Sequence, residues 1–188
     1  MDSKTIINRL KEGNQRFVAD KREGKFADAQ RREALTGGQE PFAIILSCAD
    51  SRVVPELTFD TGLGELFVIR VAGNVANTST IASIEYAVAH LHTKVIVVLG
   101  HESCGAVTAA LKGGDNGYNL NHLLAHIQPS IAQAGTKQVN DVVKKNAELN
   151  ATELVTRSSI IGSAVNKGEL KIVSAYYNLA SGAVDFLS

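Results

Sequence analysis

Residues 42–52 read Phe42-Ala43-Ile44-Ile45-Leu46-Ser47-Cys48-Ala49-Asp50-Ser51-Arg52. The first five side chains form an apolar run that is short, partly β-branched and not alternating, which predicts a strand covered on both faces of a parallel sheet. Pro41 opens the run and Ser47-Cys48 closes it. Two more runs of this kind follow. Leu66 to Val71 lies between a Gly62-Leu63-Gly64 turn and Ala72-Gly73-Asn74, and Val95 to Leu99 ends at Gly100. Between them, Ser79 to His92 carries Ile81, Ile84, Glu85, Tyr86, Val88 and Leu91 at helical spacing, with Ser79 or Thr80 as the expected cap.

Working outward, Leu120 to Ala134 and Val139 to Val165 have helical patterns, and Lys171 to Tyr177 that of another strand. Strand and helix in alternation imply an α/β fold, a mostly parallel central sheet flanked by helices. Toward the N-terminus, Thr5 to Ala19 sets Ile6, Leu10 and Phe17 on one face of an amphipathic helix. The charged stretch from Asp20 to Glu40 carries Gly24, Gly37 and Gly38, a connection with a helix expected around Asp28 to Leu35. The expected organisation is one domain over residues 1–188, with an N-terminal helical arm (1–40) ahead of an α/β core (41–188).

The chain has 188 residues, 45% hydrophobic and 20% charged. A chain of this size buries about 70% of its unfolded surface, so it needs neither disulfides nor metal merely to hold a core. Nineteen basic residues balance nineteen acidic ones, without the positive excess that nucleic acid or an anionic membrane demands. A small substrate fits better than either. No stretch reaches the roughly 20 apolar residues of a membrane span. The opening Met1-Asp2-Ser3-Lys4 is not followed by an apolar signal core, so the expected location is cytoplasmic, or periplasmic if an export signal has been removed.

Ligands in parallel α/β sheets bind where loops leave the carboxyl ends of strands. Cys48-Ala49-Asp50-Ser51-Arg52 follows the first strand, and Gly100-His101-Glu102-Ser103-Cys104-Gly105 follows the third. If those strands are neighbours, both loops open on one edge and can share one metal ion. Zinc takes Cys sulfur at ~2.3 Å and His nitrogen at ~2.0 Å, and a catalytic zinc keeps only three protein ligands so that water can take the fourth position. Cys48, His101 and Cys104 supply that number. Two thiolates cancel the formal charge of Zn²⁺, so its water is acidified less than by a three-histidine site, and a further group must assist. Asp50 is placed to accept a hydrogen bond from that water. Arg52 can hold the carboxylate in a two-pronged pair and keep it off the open position. An unpaired Asp50 could instead swing onto zinc and close the site.

Plainer readings of the same residues exist. Two Cys and one His could form a structural zinc site, although such sites normally recruit a fourth Cys or His. They could also be free core thiols, and an Asp-x-Arg pair alone is usually a surface ion pair. A phosphatase-type Cys loop is disfavoured, because Arg52 lies only four residues after Cys48 and the loop lacks the glycines that cradle phosphate. His122 and His126 share a helix face without an intervening catalytic Glu, and Tyr176-Tyr177 is expected to pack at a strand end.

Cys48-x-Asp50-x-Arg52 together with Gly100-His101-x-x-Cys104-Gly105 resembles the β-class carbonic anhydrases. The likeness extends through Gly64 to Arg70, Ala72-Gly73-Asn74 and Ser83 to Val88. This resemblance implies reversible hydration of carbon dioxide to bicarbonate and a proton, by attack of zinc-bound hydroxide. It implies Cys48, His101 and Cys104 as zinc ligands and Asp50 and Arg52 as the catalytic dyad. It also implies homodimers or homotetramers, with the N-terminal helix embracing a neighbour. Two departures stand out. Asp60-Thr61-Gly62-Leu63-Gly64 lacks the Gln that some members place beside the substrate, and no Trp is present for a regulatory bicarbonate site, which is therefore expected to be absent. The nearest rivals are a relative acting on another linear molecule such as carbon disulfide, and a non-catalytic zinc or bicarbonate sensor.

Overall fold

The computed structural model describes residues 1–187. Five strands, β1 (Ala43–Ser47), β2 (Leu66–Arg70), β3 (Val95–His101), β4 (Lys171–Tyr177) and β5 (Val184–Phe186), form one sheet in the order β2-β1-β3-β4-β5. The first four are parallel, and β5 pairs antiparallel with β4. The helices are α1 (Ser3–Val18), α2 (Ala29–Ala34), α3 (Pro55–Thr58), α4 (Thr78–Leu91), α5 (Gly105–Lys112), α6 (Tyr118–Ala125), α7 (Gln128–Gln133), α8 (Val139–Arg157) and α9 (Ser159–Asn166). None of the helices among the described residues is long and apolar enough to cross a membrane.

The continuous apolar character of β1 and β3 has the predicted cause. Ala43, Ile45, Val97 and Leu99 face one apolar layer with Ile6 and Leu10 of α1, while Ile44, Leu46, Ile96 and Val98 face another with Ile84, Leu154 and Ile161. Every residue of both strands is buried. β1 and β3 are neighbours, with Ser47 opposite Leu99, so the loops after them leave the same edge of the sheet.

Asp2 caps α1 from just before its first residue, its carboxylate accepting from the Thr5 N–H at 2.7 Å. Its inner face buries Ile6 and Leu10, each contributing about 1.5–3 kcal/mol. Further along, a Cβ on Gly13 would lie 1.9 Å from the Phe59 carbonyl oxygen, so only glycine lets the helix backbone sit this close. Asn14 donates to the carbonyls of Thr58 (3.2 Å) and Gly182 (2.8 Å) and accepts from the Val184 N–H (2.9 Å), tying α1 to α3 and β5.

Several boundaries differ from the sequence reading. Asn77, not Ser79 or Thr80, caps α4, accepting from the Thr80 N–H at 3.0 Å. The pattern over 120–134 is two helices, broken where Pro129 falls in the first turn of α7. That over 139–165 is also two, because Ser158 turns extended and caps α9. β3 runs on past Leu99 and Gly100 through His101, so the histidine is the last residue of the strand.

Candidate metal centre

Cys48 lies just beyond β1, His101 ends β3, and Cys104 is the residue before α5. Their ligand atoms all lie within 4.8 Å of one another, the one such group of three among the described residues. The two sulfurs are 4.0 Å apart. His101 is fully buried, and its Nδ1 is 2.9 Å from the Glu102 carbonyl oxygen. Nδ1 must therefore carry the proton and donate it, which leaves a lone pair on Nε2. Nε2 has no hydrogen-bond partner. A buried ring nitrogen without a hydrogen-bond partner, grouped with two thiols, fits a metal ligand, and two sulfurs with one imidazole suit zinc.

The electrostatics point the same way. Hydrogen bonding to Cys104 comes first in pulling the Cys48 thiol well below its ordinary range, against the opposing effect of burial and with help from the Gly73 N–H, which donates to Cys48 Sγ at 3.3 Å. The same sharing drives the Cys104 thiol upward, with burial adding to it. One proton thus leaves readily and the second is held, because two thiolates this close repel. A cation can take the place of the second proton.

Asp50 and Arg52 sit at the mouth. Arg52 Nε donates to Asp50 Oδ1 (2.9 Å), Arg52 Nη2 to Oδ2 (2.8 Å) and the Arg52 main-chain N–H to Oδ1 (3.0 Å). These bonds hold the Asp50 carboxyl well below the usual carboxylate range, so it is ionised at neutral pH. Oδ2 stands 3.8 Å from His101 Nε2, beyond a hydrogen bond.

A family model described as "Carbonic anhydrase" matches residues 43–184. "Carbonic anhydrase 2" of Mycobacterium tuberculosis is 40% identical over 180 residues, covering 92% of this chain and 87% of that protein. Tetrameric beta-carbonic anhydrases from Sordaria macrospora superpose with a TM-score of 0.78 at 25% identity, covering 99% of this chain and 98% of theirs. The chain belongs to the β-class carbonic anhydrases. It is an enzyme of that family, and the same likeness extends to Mycolicibacterium smegmatis carbonic anhydrase, 39% identical over 95% of this chain and 90% of that protein. A Coccomyxa β-carbonic anhydrase crystallised with acetazolamide gives a TM-score of 0.77 at 28% identity, over 94% of this chain and 83% of that one.

In this β-class carbonic anhydrase the fold brings together all five residues singled out from the motifs, Cys48 and Cys104 being 56 residues apart in sequence with their sulfurs 4.0 Å from each other. Sequence reasoning missed Arg70, at the end of β2. Its Nε donates to the Cys48 carbonyl (3.1 Å) and its Nη2 to the Asp50 carbonyl (2.6 Å), pinning the loop that carries Cys48 and Asp50. An arginine at the end of an otherwise apolar run was the available signal. His122 and His126 stay a pair on one side of α6, their rings edge to face at 5.5 Å. Tyr176 and Tyr177 end β4, buried opposite Gly100 and His101. Asp60, in the segment lacking the Gln, faces the arm instead: it accepts from Arg16 Nε (2.6 Å) and from the Glu23 and Gly24 N–H groups.

Proposed function

We propose that this chain hydrates carbon dioxide reversibly to bicarbonate and a proton, using one zinc ion held by Cys48, His101 and Cys104. The observation that carries the reading is the buried group of Cys48, His101 and Cys104, with ligand atoms within 4.8 Å of one another and His101 Nε2 unpartnered, beside an ionised carboxylate. Zinc held there would supply the Lewis acidity that lets water act as a nucleophile at neutral pH.

The chain's own groups do the rest. Asp50 is an acceptor only, so its Oδ2 can orient the hydrogen of an attacking water and leave the oxygen lone pair free for the carbon. Arg52 keeps that carboxylate ionised and in place, since both its oxygens are engaged by the guanidinium. Arg70 fixes the backbone on which Cys48 and Asp50 ride, so ligand and carboxylate move as one unit. His101, with Nδ1–H committed to the Glu102 carbonyl, offers only Nε2 and keeps one orientation.

The Sordaria macrospora relatives are described as tetrameric, and a homo-oligomer is the state we infer for this chain. Stopped-flow hydration of carbon dioxide, with zinc content measured on the same samples, tests the function. Turnover that tracks bound zinc supports it. A zinc-loaded protein without turnover leaves a binding protein on the same scaffold.

A further inference from the structure

The inner side of α8 is an apolar stripe interrupted at two buried positions one turn apart, Asn146 and Asn150. Buried amides are costly unless every group is met, so a network placed here must secure something. Asn146 is fully buried, and its orientation is determined by its partners. Oδ1 accepts from Ser130 Oγ (3.0 Å) and from Asn150 Nδ2 (3.1 Å), which makes Nδ2 the atom turned to the Gly73 carbonyl at 2.8 Å. Asn150 Oδ1 in turn accepts the Ala76 N–H at 2.6 Å. The two asparagines therefore hold the segment from Gly73 to Ala76 at both ends.

That segment packs in the same buried cluster as Cys48 and Cys104 through Val75, and it hydrogen-bonds to the metal centre from the Gly73 N–H to Cys48 Sγ. Gly73 is in the left-handed region, φ 71°, where a glycine's carbonyl and N–H can swing easily unless one of them is fixed. Asn146 fixes the carbonyl.

We propose that Asn146 is a positioning residue for the metal centre: by holding the Gly73 carbonyl it keeps the Gly73 N–H on the Cys48 sulfur and so sets how strongly that thiolate donates to the metal. The inference rests on the ligand set proposed above. A hydrogen bond to a thiolate stabilises its lone pairs, so losing it makes the sulfur a stronger but less well-oriented donor.

Cobalt(II) in place of zinc reads this directly, because sulfur-to-cobalt charge transfer gives a near-ultraviolet band whose position follows the thiolate's donor strength. We expect Asn146→Ala to move the band to longer wavelength and to lower cobalt affinity about tenfold. Ser130→Ala, which removes one donor from Asn146 Oδ1, moves both in the same direction by less. Leu154→Ala, at a buried position further along α8, is the control for a merely weakened helix and leaves band and affinity as in the parent. Parental spectra and affinities in both Asn146→Ala and Ser130→Ala would overturn the proposal, as would an equal shift in Leu154→Ala. If Asn146→Ala does not fold, Ser130→Ala against Leu154→Ala decides. A parent protein without any charge-transfer band removes the ligand set itself, and this inference with it; a parental band that no variant moves removes this inference alone.

Discussion

Arg52 grips both carboxylate oxygens of Asp50, at 2.9 Å and 2.8 Å, and thereby holds Oδ2 at 3.8 Å from His101 Nε2. On the function proposed above, the carboxylate would aim a water and would be kept from taking a ligand position itself. Arg52→Ala removes that restraint. We expect kcat/KM for carbon dioxide hydration to fall about 100-fold with zinc content unchanged, the order of loss that follows misplacement of a catalytic group by about an ångström. Arg52→Lys restores little, because a point charge cannot form the fork. Undiminished turnover in Arg52→Ala would sink the role of the pair.

Gly73 is constrained twice. Its φ of 71° is disfavoured for other residues, and a Cβ would lie 2.9 Å from Ile127 Cδ1 and 3.3 Å from Ala106 Cβ. Gly73→Ala is expected to cost about 2–4 kcal/mol by urea denaturation, from backbone conformation plus overpacking. Gly37→Ala, where an added Cβ meets nothing within 4 Å, is expected to change stability by less than about 0.5 kcal/mol.

The parts of the fold that could be read in the chain are those in which one local pattern decides the outcome. β1 and β3 are apolar without alternation because each has a layer on both faces, and that pattern survives in the residues themselves. The candidate site could be read because Cys48, Asp50, Arg52, His101 and Cys104 are chemically unusual residues at or just after the ends of such strands. Asn146 and Asn150 left no such mark. An asparagine in a helix is common on the surface, and only the packing of α8 on the sheet buries these two. β5 is three residues long and gains its place by pairing with β4, which no local pattern announces. The helix breaks at Ile127 and Ser158 were missed because apolar periodicity continues across them while the backbone turns.

Asp60 ties the N-terminal arm to the core and gives it a pH dependence. Burial pushes its carboxyl up, but the hydrogen bond from Arg16 and those from the Glu23 and Gly24 N–H groups bring it to a net value below the ordinary 3.8. A carboxylate depressed in the folded state contributes stability that is complete above the unfolded value and is lost as pH falls through the folded one. This contribution is therefore constant from pH 7 to about 5 and disappears only below about 4. Asp60→Asn is expected to cost about 1–2 kcal/mol at pH 7 and to flatten that acid limb. Urea denaturation of both proteins across pH 3–7 checks it, and parallel curves would contradict it.

Metal removal bears on the ligand set through stability. A ligand that binds only the folded chain adds about 2.7 kcal/mol when present at a hundred times its Kd. Chelator-treated protein is expected to unfold at a lower temperature than the zinc-loaded form and to recover with added zinc. His101→Ala, lacking the nitrogen ligand, is expected to lose most of that zinc-dependent gain. A Tm indifferent to zinc in the parent protein would count against the site.

Zinc K-edge X-ray absorption on the zinc-loaded protein tests the central claim most directly, that one cation is shared by Cys48, His101 and Cys104 with a position left for solvent. The expected shell is two sulfurs at ~2.3 Å and two lighter atoms at ~2.0 Å, one of them exchangeable for an added anion. A shell with fewer than two sulfurs, or one that no anion alters, would contradict it.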